Sequence, residues 1–118
     1  METETKNAIR ALAALAQETR LSVFRLLVER GPEGLAAGAI AEKLGLPPSS
    51  LSFHLAQLAH AGLILQRRES RSLIYSVDFA AMESLMGYLT DNCCGGNPAA
   101  CLPSRALSPQ SLRKRRSA

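Results

Sequence analysis

Residues 36–63 read AAGAIAEKLGLPPSSLSFHLAQLAHAGL, and this stretch decides the fold. A short helix is predicted from Ala36 to Leu44, with Gly45 at its C′ position, where left-handed backbone favours glycine. Gly45-Leu46-Pro47-Pro48 makes the turn. A second helix begins near Pro48 and Ser49 and runs to Ala61, where Gly62 ends it. Proline suits the first turn of a helix because its missing N–H would be unpaired there anyway. At about 100° per residue, Leu51, Leu55, Leu58 and Gly62 fall within about 60° of one another and face a core. Ser49, Phe53, Ala56, Gln57 and His60 point away, flanked by Ser50 and Ser52. Two helices joined by a short Gly-containing turn, the second amphipathic, describe a helix-turn-helix.

The flanking segments complete a mainly α fold of five helices with a β-hairpin. After Gly62 the period changes to two: Leu63–Gln66 and Leu73–Val77 read as strands around the polar Arg67–Ser72. That connection lacks glycine, so a tip longer than a two-residue turn is expected. Upstream, a helix over residues 7–16 carries Ile9, Leu12 and Leu15 on one stripe. Gln17, Glu18 and Thr19 interrupt the pattern. A helix from Arg20 to Arg30 then presents Leu21, Phe24, Leu27 and Val28, and Gly31-Pro32 stops it. Gly34 is read as keeping the connection open. Downstream, a last helix over residues 80–92 carries Met82, Leu85, Met86 and Leu89. Cys93-Cys94-Gly95-Gly96-Asn97-Pro98 cannot continue it. Residues 102–118 hold two prolines, four serines and five basic residues and read as a flexible basic tail. The expected organisation is residues 1–92 as the folded domain, 93–101 as a cysteine segment and 102–118 as the tail.

Composition agrees. A chain of 118 residues suits one core, and 47% apolar residues with 4% aromatics and no Trp favour helices packed through Leu, Ile, Val and Ala. The net charge of +4 is unevenly placed. Residues 1–104 hold nine Lys/Arg against ten Asp/Glu, whereas residues 105–118 hold five Lys/Arg and no acid. Any argument for a nucleic-acid partner therefore rests on local pattern. No apolar run approaches the roughly 18 residues of a membrane span. METETKNAIR is not a secretory signal. The expected location is the cytoplasm, where the three cysteines would stay reduced.

The outward face of the second helix of the pair is small, polar and uncharged. Ser and Gln reach base edges, and Phe53 can touch a thymine methyl. Arg67, Arg68 and Arg71 are expected at the hairpin tip, where a wing meets phosphates. His54 sits at the edge of the face, open either to a DNA contact or to a partly buried bond with backbone. The candidate contacts to double-stranded operator DNA are Ser49, Ser50, Ser52, Phe53, His54, Gln57, Arg67, Arg68 and Arg71. The tail is either a solubilising extension or a source of further salt-dependent phosphate contacts.

Two stretches resemble the ArsR/SmtB family of metal-responsive winged helix-turn-helix repressors. One is Leu15-Ala16-Gln17-Glu18-Thr19-Arg20-Leu21. The other is Ser49-x-x-Ser52-x-His54-Leu55-x-x-Leu58-x-x-Ala61-Gly62-Leu63, followed by Arg67-Arg68-Glu69-Ser70-Arg71. The resemblance covers residues 8–94. It implies a homodimer through the first and last helices, and repression released by a metal or metalloid. Ser70 stands where the family usually has glycine.

Of the family's inducer sites, the Cys-x-Cys pair of the third helix is absent, since Ala36 and Gly38 occupy the aligned positions. The last helix offers Asp78, Glu83 and Asp91 but no histidine. Cys93, Cys94 and Cys101 look like the subgroup that binds trivalent arsenic through a vicinal pair and a third cysteine. A thiophilic centre prefers thiolates. Arsenite has three bonds to exchange, whereas zinc wants a fourth ligand. As(III), with Sb(III) beside it, is the expected inducer, and no organic cofactor is expected. Another soft metal and cysteine oxidation stay open. An enzyme is not expected, because these cysteines follow a helix C-terminus with no base nearby in sequence.

Overall fold

A computed structural model describes residues 2–91 and 95. The order along the chain is α1 (Glu2–Leu15), α2 (Glu18–Arg30), a 3₁₀ turn (Gly31–Glu33), β1 (Leu35–Ala36), α3 (Ala37–Leu44), α4 (Pro48–His60), β2 (Ile64–Glu69), β3 (Ser72–Val77) and α5 (Phe79–Leu89). The chain divides into two units, Met1–Tyr88 and Leu89–Ala118, and the first holds the whole helix-turn-helix and its wing. This is the winged helix-turn-helix that the sequence predicts. Among the described residues no helix is long and apolar enough to cross a membrane.

The core gathers one face from each of α1 to α4 and closes against the sheet. Val23 and Leu27 of α2, Ile40 of α3, Leu51 and Leu58 of α4, and Leu63 are its most deeply buried large side chains. Met82 and Leu85 of α5 pack on its margin. Helix α1 contributes alanines: Ala8, Ala11 and Ala14 are buried, at spacings of three. This lets the backbone of α1 lie close to the core. Ile9 and Leu12, on the stripe expected from the periodicity, are 61% and 42% exposed. Leu21 of α2 is exposed as well, so the inward face of that helix is Val23, Phe24 and Leu27.

Several boundaries differ from expectation. Helix α1 begins at Glu2 rather than residue 7, because its polar first turns pack little and periodicity does not see them. Ala36 belongs to a strand, not to α3. The two-residue β1 pairs antiparallel with β3, Leu35 opposite Tyr75, and makes a third strand in the order β1-β3-β2. The hairpin strands are longer than predicted and pair from Ile64↔Val77 to Glu69↔Ser72. That leaves a two-residue tip, Ser70-Arg71, with Ser70 at φ +56°. The missing glycine lengthens nothing; serine takes the left-handed conformation instead, at some steric cost. Helix α5 is Phe79–Leu89, not 80–92, and stops four residues before Cys93. Its start is fixed by Asp78, whose Oδ1 accepts from the Ala81 N–H at 3.1 Å. An N-cap is therefore the role of this carboxylate.

Gly34 is not an open hinge but a point of close approach. Its φ is +71°, and a Cβ there would overlap the carbonyl oxygen of Tyr75 and crowd the Ile74 side chain. Gly31 has a similar φ of +83° with open space around it. Alanine at either site carries the left-handed penalty, but only at position 34 does it also meet backbone. Gly34→Ala is therefore expected to destabilise by about 1–3 kcal/mol more than Gly31→Ala. Urea unfolding of the two variants measures the difference, and equal losses would contradict the packing described.

Candidate nucleic-acid interface

Both helices of the pair end in the same way. At the end of α3, Gly45 (φ +64°) brings the Leu46 N–H back to the Ala41 carbonyl at 2.9 Å. At the end of α4, Gly62 (φ +81°) brings the Leu63 N–H back to the Leu58 carbonyl at 3.1 Å. Each is a Schellman closure, with an apolar residue following the glycine. The first sets the angle at which α4 leaves α3; the second turns the chain into the wing. Pro48 occupies the first turn of α4, as predicted, and no side chain caps that end.

Burial along α4 follows the wheel. Leu51, Leu55 and Leu58 are buried; Ser49, Ser52, Phe53, Ala56, Gln57 and His60 are exposed; Ser50 and His54 are half-buried. Phe53 is 59% exposed, a large apolar ring in solvent. Its ring meets that of His54 edge to face, with centroids 5.5 Å apart and planes at 68°. His54 finds a side chain rather than backbone: its Nδ1 lies 3.4 Å from Nη1 of Arg20.

Arg20 is the residue that periodicity missed. It sits in the first turn of α2, where its backbone N–H donates to Oε1 of Gln17, the N-cap, at 2.8 Å. Its Nε donates to the Ala14 carbonyl at 2.6 Å, in the last turn of α1. One guanidinium thus closes the C-terminal end of α1, where carbonyls lack helical partners and a cation is favoured, and also touches α4. In sequence Arg20 stands out only within the Gln17-Glu18-Thr19-Arg20 run that carries the family resemblance.

The three wing arginines are not equivalent. The tip is Ser70-Arg71, and Arg67 lies down the strand opposite Ile74. Its Nη2 donates to the Glu33 carbonyl at 2.7 Å and its Nη1 to the Pro32 carbonyl at 3.3 Å, while Nε pairs with Glu69 at 2.8 Å. Arg67 therefore fastens the wing to the turn between α2 and β1 and is not at the tip. Arg68 and Arg71 are exposed and, among the described residues, have no ion-pair partner. Cys93, Cys94 and Cys101 lie outside the described residues. Among the described residues no group of His, Cys, Asp or Glu could hold a metal.

Comparison with known proteins places this geometry. A helix-turn-helix domain family model matches residues 15–67. The nodulation protein NolR of Rhizobium meliloti is 38% identical over 80 residues, 68% of this chain and 63% of its own; the chain thus spans less than two thirds of that relative. The transcriptional activator HlyU of Vibrio cholerae is 30% identical over 97 residues, 82% of this chain and 87% of its own. A solved structure of HlyU in reduced form matches at TM-score 0.59 with 32% identity, over 77% of this chain and 96% of that one. The homodimeric winged helix-turn-helix domain of Mb0332 from Mycobacterium bovis, a possible ArsR-family regulator, matches at TM-score 0.60 with 27% identity, over 80% and 87%. HlyU is a transcriptional activator and Mb0332 carries a winged helix-turn-helix DNA-binding domain, and this chain is a helix-turn-helix transcriptional regulator of the same kind.

Arg67→Ala is expected to speed amide exchange in β2 and at the wing tip while leaving global unfolding nearly unchanged. Arg68→Ala is expected to leave exchange as it is. Native-state hydrogen exchange on the three proteins distinguishes an anchoring arginine from a free one.

Proposed function

Because the chain belongs to the ArsR family of winged helix-turn-helix transcriptional regulators, we propose that it is an operator-binding repressor released when trivalent arsenic, or antimony, binds Cys93, Cys94 and Cys101. The observation that supports the DNA half most directly is the exposed, uncharged face of α4 beside two exposed wing arginines that have no ion-pair partner among the described residues. In this reading Ser49, Ser50, Ser52, Phe53 and Gln57 meet the major groove, and Arg68 and Arg71 meet phosphates. Arg67 would reach a phosphate only by giving up its carbonyl partners, so its contribution is to hold the wing.

The functional unit in this reading is a homodimer. Ile9 and Leu12 on α1 and Met86 on α5 are apolar and between 42% and 61% exposed. The two helices adjoin, with Thr5 Oγ1 and Tyr88 Oη 2.6 Å apart. A second copy would cover this face and set its two α4 helices about 34 Å apart, one DNA turn. Mb0332, a homodimer with the same fold, supports self-association.

The donor set supports the inducer. Three thiols match the three exchangeable bonds of arsenite. Helix α5 ends at Leu89, so the chain has three residues, Thr90, Asp91 and Asn92, beyond the helix before Cys93. Coupling between such a segment and DNA is typically about 1–3 kcal/mol, roughly 5- to 150-fold in affinity. Cysteine oxidation is the second reading, favoured by the existence of HlyU, a relative of similar length, in a defined reduced form.

Fluorescence anisotropy of a labelled duplex from the region upstream of the gene tests both halves. Binding is expected to weaken steeply with salt, and Arg68→Ala and Arg71→Ala, each present twice in the dimer, are each expected to lower the log–log salt slope by about 1.8. Arsenite, but not zinc, is expected to release the wild type and to leave Cys93→Ser bound. Release by peroxide and not by arsenite would move the sensor to the second reading. Salt-insensitive or absent binding would end the DNA reading.

A further inference from the structure

We propose that Arg20 is a positioning residue of the DNA site: it fixes His54 as an Nε2–H donor for a phosphate oxygen of the DNA backbone. The inference rests on the DNA-binding reading above and assigns a role to one edge of that surface.

The chemistry is one of donors and acceptors. A guanidinium has N–H groups and no acceptor. At 3.4 Å from Arg20 Nη1, the Nδ1 of His54 can only accept, so it carries no hydrogen. A neutral imidazole in that arrangement keeps its proton on Nε2. Arg20 is itself pinned, through Nε on the Ala14 carbonyl and through its backbone N–H on Gln17. The Phe53 ring stands edge to face on the imidazole and restrains its rotation. The half-buried ring therefore has one tautomer and one orientation, and the nitrogen not used by Arg20 is a donor.

Position on α4 selects the partner. His54 lies at the margin of the outward face, about 60° from the centre of the leucine row, on one ridge with Ser50 and Gln57. The centre of the face belongs to Ser49, Phe53 and Ala56. When a recognition helix lies in the major groove, its centre meets base edges and its margins meet the flanking sugar-phosphate strands. A single N–H at the margin suits a phosphate oxygen. The contact carries no net charge, so it adds affinity without releasing a counterion.

The test uses the full chain. With only two histidines in the sequence, His60 serves as an internal exposed reference for His54. Long-range ¹H–¹⁵N spectra are expected to show His54 with a protonated Nε2 and a bare Nδ1. In Arg20→Leu the same ring is expected to average both tautomers. Should that variant fail to fold, two others decide the matter. In His54→Gln the amide nitrogen takes the place of Nε2; in His54→Asn the side chain reaches only as far as Nδ1. Binding is measured on the upstream duplex and on a scrambled duplex of equal length. His54→Gln is expected within about twofold of wild type and His54→Asn about tenfold weaker for each half-site, hence about a hundredfold for the dimer, on both duplexes, the size of one hydrogen bond to a charged group on each protomer, with the salt slope unchanged. Equal binding by the two variants would overturn the proposal. So would a loss confined to the upstream duplex, which marks a base contact, a slope lowered by about 1.8, which marks a charged ring on each protomer, or a proton on Nδ1 in the wild type. Absence of salt-dependent binding by the wild type to either duplex would instead remove the DNA reading on which the proposal stands.

Discussion

Leu51, Leu55 and Leu58 enter the core from one side of α4, and none retains more than 2% of its surface. Burying three leucines is worth roughly 1.5–3 kcal/mol each, which is large against the net stability of a small domain. That row dictates which way α4 faces. With the leucines inward, the serines, Phe53 and Gln57 have nowhere to go but solvent. The two Schellman closures then set the ends of the helix: Gly45 fixes its approach from α3 and Gly62 its exit into β2. Everything that makes the surface a reader of another molecule follows from where the leucines must be.

That part of the fold was legible because it obeys a single local period. A wheel drawn from the sequence places each outward and inward residue of α4 as the structure does, and glycines at positions 45 and 62 mark the ends for a steric reason. The parts that were not legible depend on partners far along the chain. Strand β1 is two residues long and exists only because β3 lies beside it; its sequence, Leu35-Ala36, reads equally well as the start of α3. The tip at Ser70-Arg71 contradicts the usual demand for glycine because pairing along six residues on each side outweighs one strained φ. In α1 the larger side chains suggested the inward face, yet alanines hold it, since close approach of the helix matters more there than bulk.

The candidate site divides along the same line. Exposure on α4 could be read residue by residue, whereas the roles of the arginines could not. Arg67, Arg68 and Arg71 look alike in sequence, and only the carbonyls of Pro32 and Glu33, more than 30 residues away, separate the first from the others. Arg20 is subtler still. Its side chain faces neither the core nor open solvent, and its partners belong to two other helices. A hydropathy pattern has no term for a cation whose value lies in which carbonyl and which imidazole it reaches.

This corner also bears on how a signal could cross the molecule. Coupling between two sites needs an element with alternative arrangements that both sites bias. Helix α1 is held inward by small side chains, whose flat surface resists sliding less than interlocked large ones would. Its outward stripe of Ile9 and Leu12 is free to engage a second copy. Its C-terminal carbonyl and the His54 ring share one guanidinium. A shift of α1 against the core by a fraction of a helical turn would stretch the 2.6 Å bond to Ala14, and Arg20 could follow only by leaving Nδ1 of His54. The end of the helix expected at a subunit boundary and the edge of the surface expected on DNA are thus joined through three atoms of one side chain, with no need for a long chain of intermediates between them.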